Sequence, residues 1–137
     1  MTSRIKINER EIGEGCKPYI VAEMSGNHNH DLRRALQILD AAKSSGADAV
    51  KLQTYRADTI TIDHHSEEFI VKGGLWNGQR LYDLYEEAHT PWEWHKPIFD
   101  KCKELGIYGF STPFDETSVD FLEELNNFSN SPGSMLN

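Results

Sequence analysis

Strand-length apolar runs alternate with stretches of three-to-four spacing along most of this chain. Ile5 and Ile7 alternate with polar neighbours, the chain turns at Asn8-Glu9-Arg10 toward Ile12, and Gly13-Glu14-Gly15 ends what reads as a small β-hairpin. Residues 19–24 (YIVAEM) form the first strong strand, closed by the loop Ser25-Gly26-Asn27-His28-Asn29-His30. From Asp31 the period changes: Leu32, Ala35, Leu36, Leu39 and Ala42 share one helical face, and Gly46 stands where a helix ends. Residues 47–55 (ADAVKLQTY) are the second strand.

A long connection, 56–89, follows, with a Gly73-Gly74 turn and a short helix from Arg80 to Ala88. A connection of that length in a compact domain is usually functional or carries structure of its own. Thr90-Pro91-Trp92-Glu93 reads as a capping box with proline at the first helical position. Trp94, Ile98, Cys102 and Leu105 make the buried stripe of that helix, and Gly106 stops it. A third strand covers 107–111, ended by Thr112-Pro113, and a last helix from Glu116 to Leu125 turns Val119, Leu122 and Leu125 inward. The order βαβ(insert)αβα calls for parallel strands with crossover connections. Residues 126–137 (NNFSNSPGSMLN) have no strand or helix period and read as an irregular polar tail after a folded part spanning 1–125.

Composition narrows the function. The 137 residues are 38% hydrophobic and 26% charged, the signature of a soluble globular domain, and no apolar run approaches a membrane span. The N-terminus lacks the apolar core of a signal peptide. Cys16 and Cys102 are far apart and in no CxxC pattern, which points to a reducing cytoplasm rather than a disulfide framework or zinc knuckle. A net charge of −8 argues against nucleic acid as a partner. It leaves room for a small anion, which responds to local charge.

Lys51 is where such an anion would go. Strand alternation sends Val50 and Leu52 one way and Lys51, Gln53 and Tyr55 the other. An ammonium facing a sheet interior is costly unless something anionic meets it. Glu23 on the neighbouring strand is one such partner and a phosphate or carboxylate substrate is another; both can hold, the ion pair persisting until the substrate arrives. Glu23, Lys51, Gln53, Ser111 and Thr112 all fall at strand carboxyl ends, where (β/α)8 barrels and open α/β sheets place their ligands. The loop after the first strand is not GxGxxG, which favours the barrel. Ser111 and Thr112 offer hydroxyl donors beside the lysine, Gln53 can fix a hydroxyl or an amide, and Glu23 is placed to act as a general base.

The segments IVAEMSGNHN, GADAVKLQTY, GLWNGQRLYDLYEEAHTPWEWH and GFSTPFDETSVDFLEELN resemble the sialic acid synthases, and the stretch from Trp76 to His95 resembles their pseudaminic acid branch. The resemblance implies an α/β fold: the N-terminal three βα units of a (β/α)8 barrel, preceded by a β-hairpin, hence an incomplete barrel. The implied reaction condenses phosphoenolpyruvate with a 2,4-diacetamido-2,4,6-trideoxy-hexose to a nonulosonic acid, releasing phosphate. It implies phosphoenolpyruvate binding by Lys51 and Thr112, with Ser111 beside them, and sugar contact by Gln53 and Glu23, with Glu23 in the chemistry. It also implies a divalent metal, Mn or Mg, whose ligands lie on later strands than this chain holds, and a homodimeric full-length enzyme. Where the family's loop has a glycine, this chain has His30.

On this reading the chain is a truncated, inactive portion of such an enzyme. The alternatives are an N-acetylneuraminate synthase, an aldolase-type barrel acting on another substrate, or a non-enzymatic remnant that binds anions weakly. Other conspicuous residues take plainer readings. His64 and His65 would point to opposite faces of a strand and make a poor metal pair. Trp92, Trp94 and His95 read as packing, His28 as a shaper of the site mouth, and Glu67-Glu68 and Glu86-Glu87 as solvated surface.

Overall fold

The computed structural model describes residues 4–128. Strands β1 (Arg4–Ile7) and β2 (Arg10–Gly13) form the expected antiparallel hairpin, with Ile5 opposite Ile12. Its Arg10 pairs with Asp48 and donates to the Pro18 carbonyl at 2.7 Å. Asp48 also accepts from the Ile20 N–H at 2.7 Å, so one carboxylate ties the hairpin to the amino end of the main sheet.

That sheet is parallel and three-stranded, in the order β3 (Val21–Glu23), β4 (Ala49–Thr54), β5 (Tyr108–Pro113). The first strand is shorter than its apolar run predicts. Ile20 still accepts from the N–H groups of Asp48 and Ala49, but Tyr19 and Ile20 fall outside the ladder. Helix α1 (Leu32–Ser44) starts at Asp31, whose carboxylate accepts from the Arg33 N–H at 2.8 Å. The β4–β5 connection carries α2 (Ala57–Ile60), α3 (Leu81–Ala88) and α4 (His95–Leu105), with 3-10 turns at Glu67–Phe69 and Trp92–Trp94. Helix α5 (Glu116–Phe128) closes the described chain.

One face of the sheet is the core. Met24, Val50 and Leu52 meet Ala35, Leu39 and Ala42 of α1 and Ile98 and Cys102 of α4 in a single buried cluster. Burial pushes the Cys102 thiol up to about 12, which leaves it an inert apolar group. Helix α4 lies so close to β5 that a Cβ at Gly109 would stand 2.8 Å from Cys102 Sγ and 3.0 Å from Phe99 Cδ1. Gly109→Ala is therefore expected to destabilise the fold by ~1–3 kcal/mol, the usual effect of overpacking. Urea unfolding measures it, and a change below ~0.5 kcal/mol would show that α4 moves away freely.

Three further sequence expectations need correction. The capping box at 90–93 does not form: Pro91 occupies the cap position of the 3-10 turn, and the Thr90 hydroxyl faces His28 Nε2 at 3.1 Å instead. Val119 is exposed rather than inward, because the Ser118 hydroxyl accepts from the Phe114 and Asp115 N–H groups and fixes the helix start. That turns Ser118 and Leu122 into the core. Finally, α5 continues to Phe128, three residues past the expected end; the remainder of the proposed polar tail lies outside the described residues. No helix among the described residues is long and apolar enough to cross a membrane.

Candidate active site

The parallel register sets Glu23 beside Lys51, Lys51 beside Phe110, and Gln53 beside Thr112. Register partners share a face, so Glu23, Lys51, Gln53 and Thr112 stand together near the carboxyl ends of their strands, on the face opposite the helices. Lys51 Nζ lies 2.7 Å from Glu23 Oε2. The ion pair weighed from sequence thus forms. The lysine is not the deeply buried ammonium its strand position predicts: its side chain keeps 34% exposure and that of Glu23 40%. Helices α1 and α4 pack on the other face, so this rim stays in contact with water and the charges remain hydrated.

Ser111 is not beside Lys51. It pairs in register with Leu52 and points into the helix layer, where it is 4% exposed. Adjacent strand residues cannot share a face, so only Thr112 of the two hydroxyls reaches the rim. Behind the sheet, Ser111 Oγ is 2.6 Å from Thr54 Oγ1, and Thr54 Oγ1 is 2.7 Å from His95 Nε2. His95 Nδ1 lies 3.1 Å from the Trp92 carbonyl, which can only accept, so Nδ1 carries the proton and Nε2 accepts from Thr54. Ser111 then donates to Thr54. Burial pushes the imidazole down to about 4, keeping it neutral.

The loop from Ser25 to His30 is held by a second buried imidazole. His28 Nδ1 accepts from the His30 N–H at 3.1 Å, leaving Nε2–H to donate to Thr90. Burial first, then the nearby His30 and His89 charges, lowers the His28 pKa. His28 therefore anchors the loop from behind rather than lining an opening, with Trp94 edge-on at 5.4 Å. His30 adopts φ 51°, a left-handed conformation that glycine takes at no steric cost. Contacts to the His89 ring at 5.6 Å, the Trp94 ring at 5.5 Å and the Glu87 carbonyl at 3.2 Å hold it there. Trp92 packs on Phe121 at 4.7 Å.

A cavity of about 490 Å³ opens next to Gln53. Ser25, Gln53, Tyr55, Trp76, Tyr85 and Phe114 line it. The Tyr55 ring sits edge-on to Tyr85 at 6.0 Å and to Phe114 at 5.3 Å. Gly26 lets the loop close against α3, since a Cβ there would come within 3.1 Å of the Ala88 carbonyl oxygen. Sequence reasoning missed this cavity. Its aromatic residues come from a strand end, a hairpin-like insert, a helix and the turn after β5, and only their unusual density in the connection hinted at it. Among the described residues, no three His, Cys, Asp or Glu side chains come together to hold a metal ion.

Residues 38–129 match the NeuB family model. The chain is 50% identical over 107 residues to the pseudaminic acid synthase of Campylobacter jejuni, covering 78% of this chain and 31% of that protein. It is 47% identical over 109 residues to the pseudaminic acid synthase of Helicobacter pylori, covering 80% and 32%. It thus spans about a third of the length of these relatives. The N-acetylneuraminic acid synthetase of Leptospira borgpetersenii, solved in complex with citrate, superposes with a TM-score of 0.73 at 25% identity over 91% of this chain and 39% of that one. The match begins within α1 and runs through β4, the insert, β5 and α5, taking in both rim strands that follow β3, and the chain belongs to the NeuB family.

Proposed function

We propose that this chain forms the phosphoenolpyruvate-binding part of a pseudaminic acid synthase. The observation that carries this reading is Lys51 Nζ at 2.7 Å from Glu23, a third exposed, at a strand carboxyl end. A cation so placed is already paired yet open to exchange. An incoming phosphate or carboxylate takes the ammonium, with the Thr112 hydroxyl donating beside it, and the Glu23 carboxylate is released. Glu23 can then accept a proton from a bound hydroxyl or water. Gln53 orients the sugar.

The reaction so served joins the enolpyruvate methylene carbon to the aldehyde carbon of a 2,4-diacetamido-2,4,6-trideoxy-hexose. Water adds at the pyruvyl carbon that carried the phosphate ester, and inorganic phosphate leaves. A divalent cation belongs to this reading through the family resemblance. The described residues do not assemble a site for one, so no step here is assigned to it. The reading carries with it a cytoplasmic setting, as one step in making a nonulosonic acid, and a homodimeric assembly.

Calorimetric titration of the chain with phosphoenolpyruvate tests it. Saturable binding that competes with inorganic phosphate and disappears in Lys51→Glu is the expected result. No binding at millimolar phosphoenolpyruvate would refute the reading.

A further inference from the structure

We infer that His30 and His89 form a two-histidine site for a borderline divalent transition metal, zinc above all, which staples the loop from Ser25 to His30 onto the carboxyl end of α3. The site stands on these residues alone and is independent of the synthase reading.

The tautomers come first. His30 Nδ1 lies 3.2 Å from the Glu87 carbonyl oxygen, and His89 Nδ1 lies 2.6 Å from the Glu86 carbonyl oxygen. A carbonyl can only accept, so both Nδ1 atoms carry the proton and both Nε2 atoms present a lone pair. A ring that donates one N–H to a backbone carbonyl and offers its other nitrogen is how metal-ligating histidines are oriented. The spacing agrees. Two imidazoles bound to one ion at about 2.1 Å place their ring centroids roughly 4.5–5.5 Å apart. The His30 and His89 centroids are 5.6 Å apart, with the ring planes at 67°. Both are reached from water, since His30 is exposed and His89 half-buried.

The backbone beneath the rings is fixed in advance. Asn29 and His30 both take left-handed φ values, 50° and 51°, a conformation that disfavours a histidine unless its surroundings hold it. Here they do: His28 Nδ1 accepts the His30 N–H at 3.1 Å, and the Trp94 ring backs the His30 ring at 5.5 Å. On the other side His89 caps α3, its N–H donating to the Tyr85 carbonyl at 3.0 Å. Gly26 already abuts Ala88. An ion bridging the two rings therefore joins segments that are in contact, and little chain has to be ordered to bind it.

The donor set chooses the metal. Imidazole nitrogen suits zinc, copper and nickel, whereas magnesium and manganese favour oxygen ligands. No third His, Cys, Asp or Glu joins the pair among the described residues, so water completes the coordination. Two ligands are half of a structural zinc site's four, which places zinc binding at roughly 1–100 µM rather than nanomolar.

Calorimetric titration of the full chain with zinc chloride at neutral pH tests this, together with proton NMR of the histidine rings. The expected result is one ion per chain in that affinity range, ring shifts at His30 and His89, and no displacement by excess magnesium. His30→Gly removes one ligand and relaxes the left-handed backbone, so the fold is kept. It should weaken zinc about 10-fold or more, and His89→Ala should do the same. A variant carrying His64→Ala and His65→Ala should bind as the parent does. No binding at millimolar zinc, ring shifts at other histidines in place of these two, or an affinity untouched by His30→Gly or by His89→Ala would overturn the inference. So would displacement by magnesium.

Discussion

Lys51→Ala is expected to weaken phosphoenolpyruvate binding about 100-fold while leaving acetamido-sugar affinity within about 3-fold. Truncating one partner of a hydrogen-bonded charge pair that is buried in the complex typically costs 2–5 kcal/mol of binding, and the lower part of that range applies at this half-open rim, where 100-fold corresponds to ~2.7 kcal/mol. A second effect has the same sign: without the ammonium, Glu23 stands alone at the rim and repels the incoming anion. Lys51→Ala combined with Glu23→Gln should therefore recover part of the loss. The fold itself should barely notice. The pair keeps 34% and 40% side-chain exposure, and ion pairs so hydrated contribute ~0–1 kcal/mol to stability. Calorimetry with each ligand and urea unfolding of the same variants read these quantities separately. Equal loss of both ligands, with a stability drop above ~2 kcal/mol, would make Lys51 a structural residue and Glu23 its permanent partner.

Much of the fold was legible because its signals are local. The hairpin, the three strand runs and the helix stops at Gly46 and Gly106 follow from period and turn chemistry, and Gly46 and Gly106 adopt the positive φ values, 85° and 62°, that the stops require. The rim was legible for the same reason: strand alternation alone puts Lys51 and Gln53 on one face, and register brings Glu23 and Thr112 to them. Ser111 was misplaced because residue type was allowed to outweigh that alternation. The exposure of Lys51 could not be read locally, since it depends on which face the helices cover. The Thr90 cap was lost to a tertiary competitor: its hydroxyl bonds a histidine 62 residues away in sequence, which no local motif reveals.

The two buried imidazoles and the cavity belong together. His28 holds the loop that supplies Ser25 and Gly26 to the cavity, and it does so from Thr90, just before the 3-10 turn that leads into α4. His95, the first residue of α4, reaches through Thr54 to Ser111, linking β4 and β5 immediately behind Gln53 and Thr112. The rim is therefore stiffened from the core side by a donor chain whose direction depends on neutral histidine. Protonating either ring removes its acceptor nitrogen and breaks the chain at that point.

Stability is accordingly expected to fall by roughly 3 kcal/mol between pH 6.5 and pH 4 on account of His95 alone. Its ring is fully buried, with a pKa pushed from 6.5 to about 4 by burial. As pH drops below 6.5 the unfolded chain takes up a proton that the folded chain refuses, so the stabilisation present above pH 6.5 is lost progressively until the folded ring titrates near pH 4. At ~1.4 kcal/mol per unit, about 2.5 units give the stated loss. His28, lowered in the same direction, steepens the slope further. Urea unfolding from pH 7.5 to 4.5 should show this slope, and His95→Gln, which can keep a hydrogen bond to Thr54, should remove His95's share while leaving the rest. Carboxylates titrate in both proteins and cancel in the difference. A His95 proton resonance that titrates near 6.5, or identical slopes in the two proteins, would mean that the ring charges in place and that the donor chain behind the rim is not fixed.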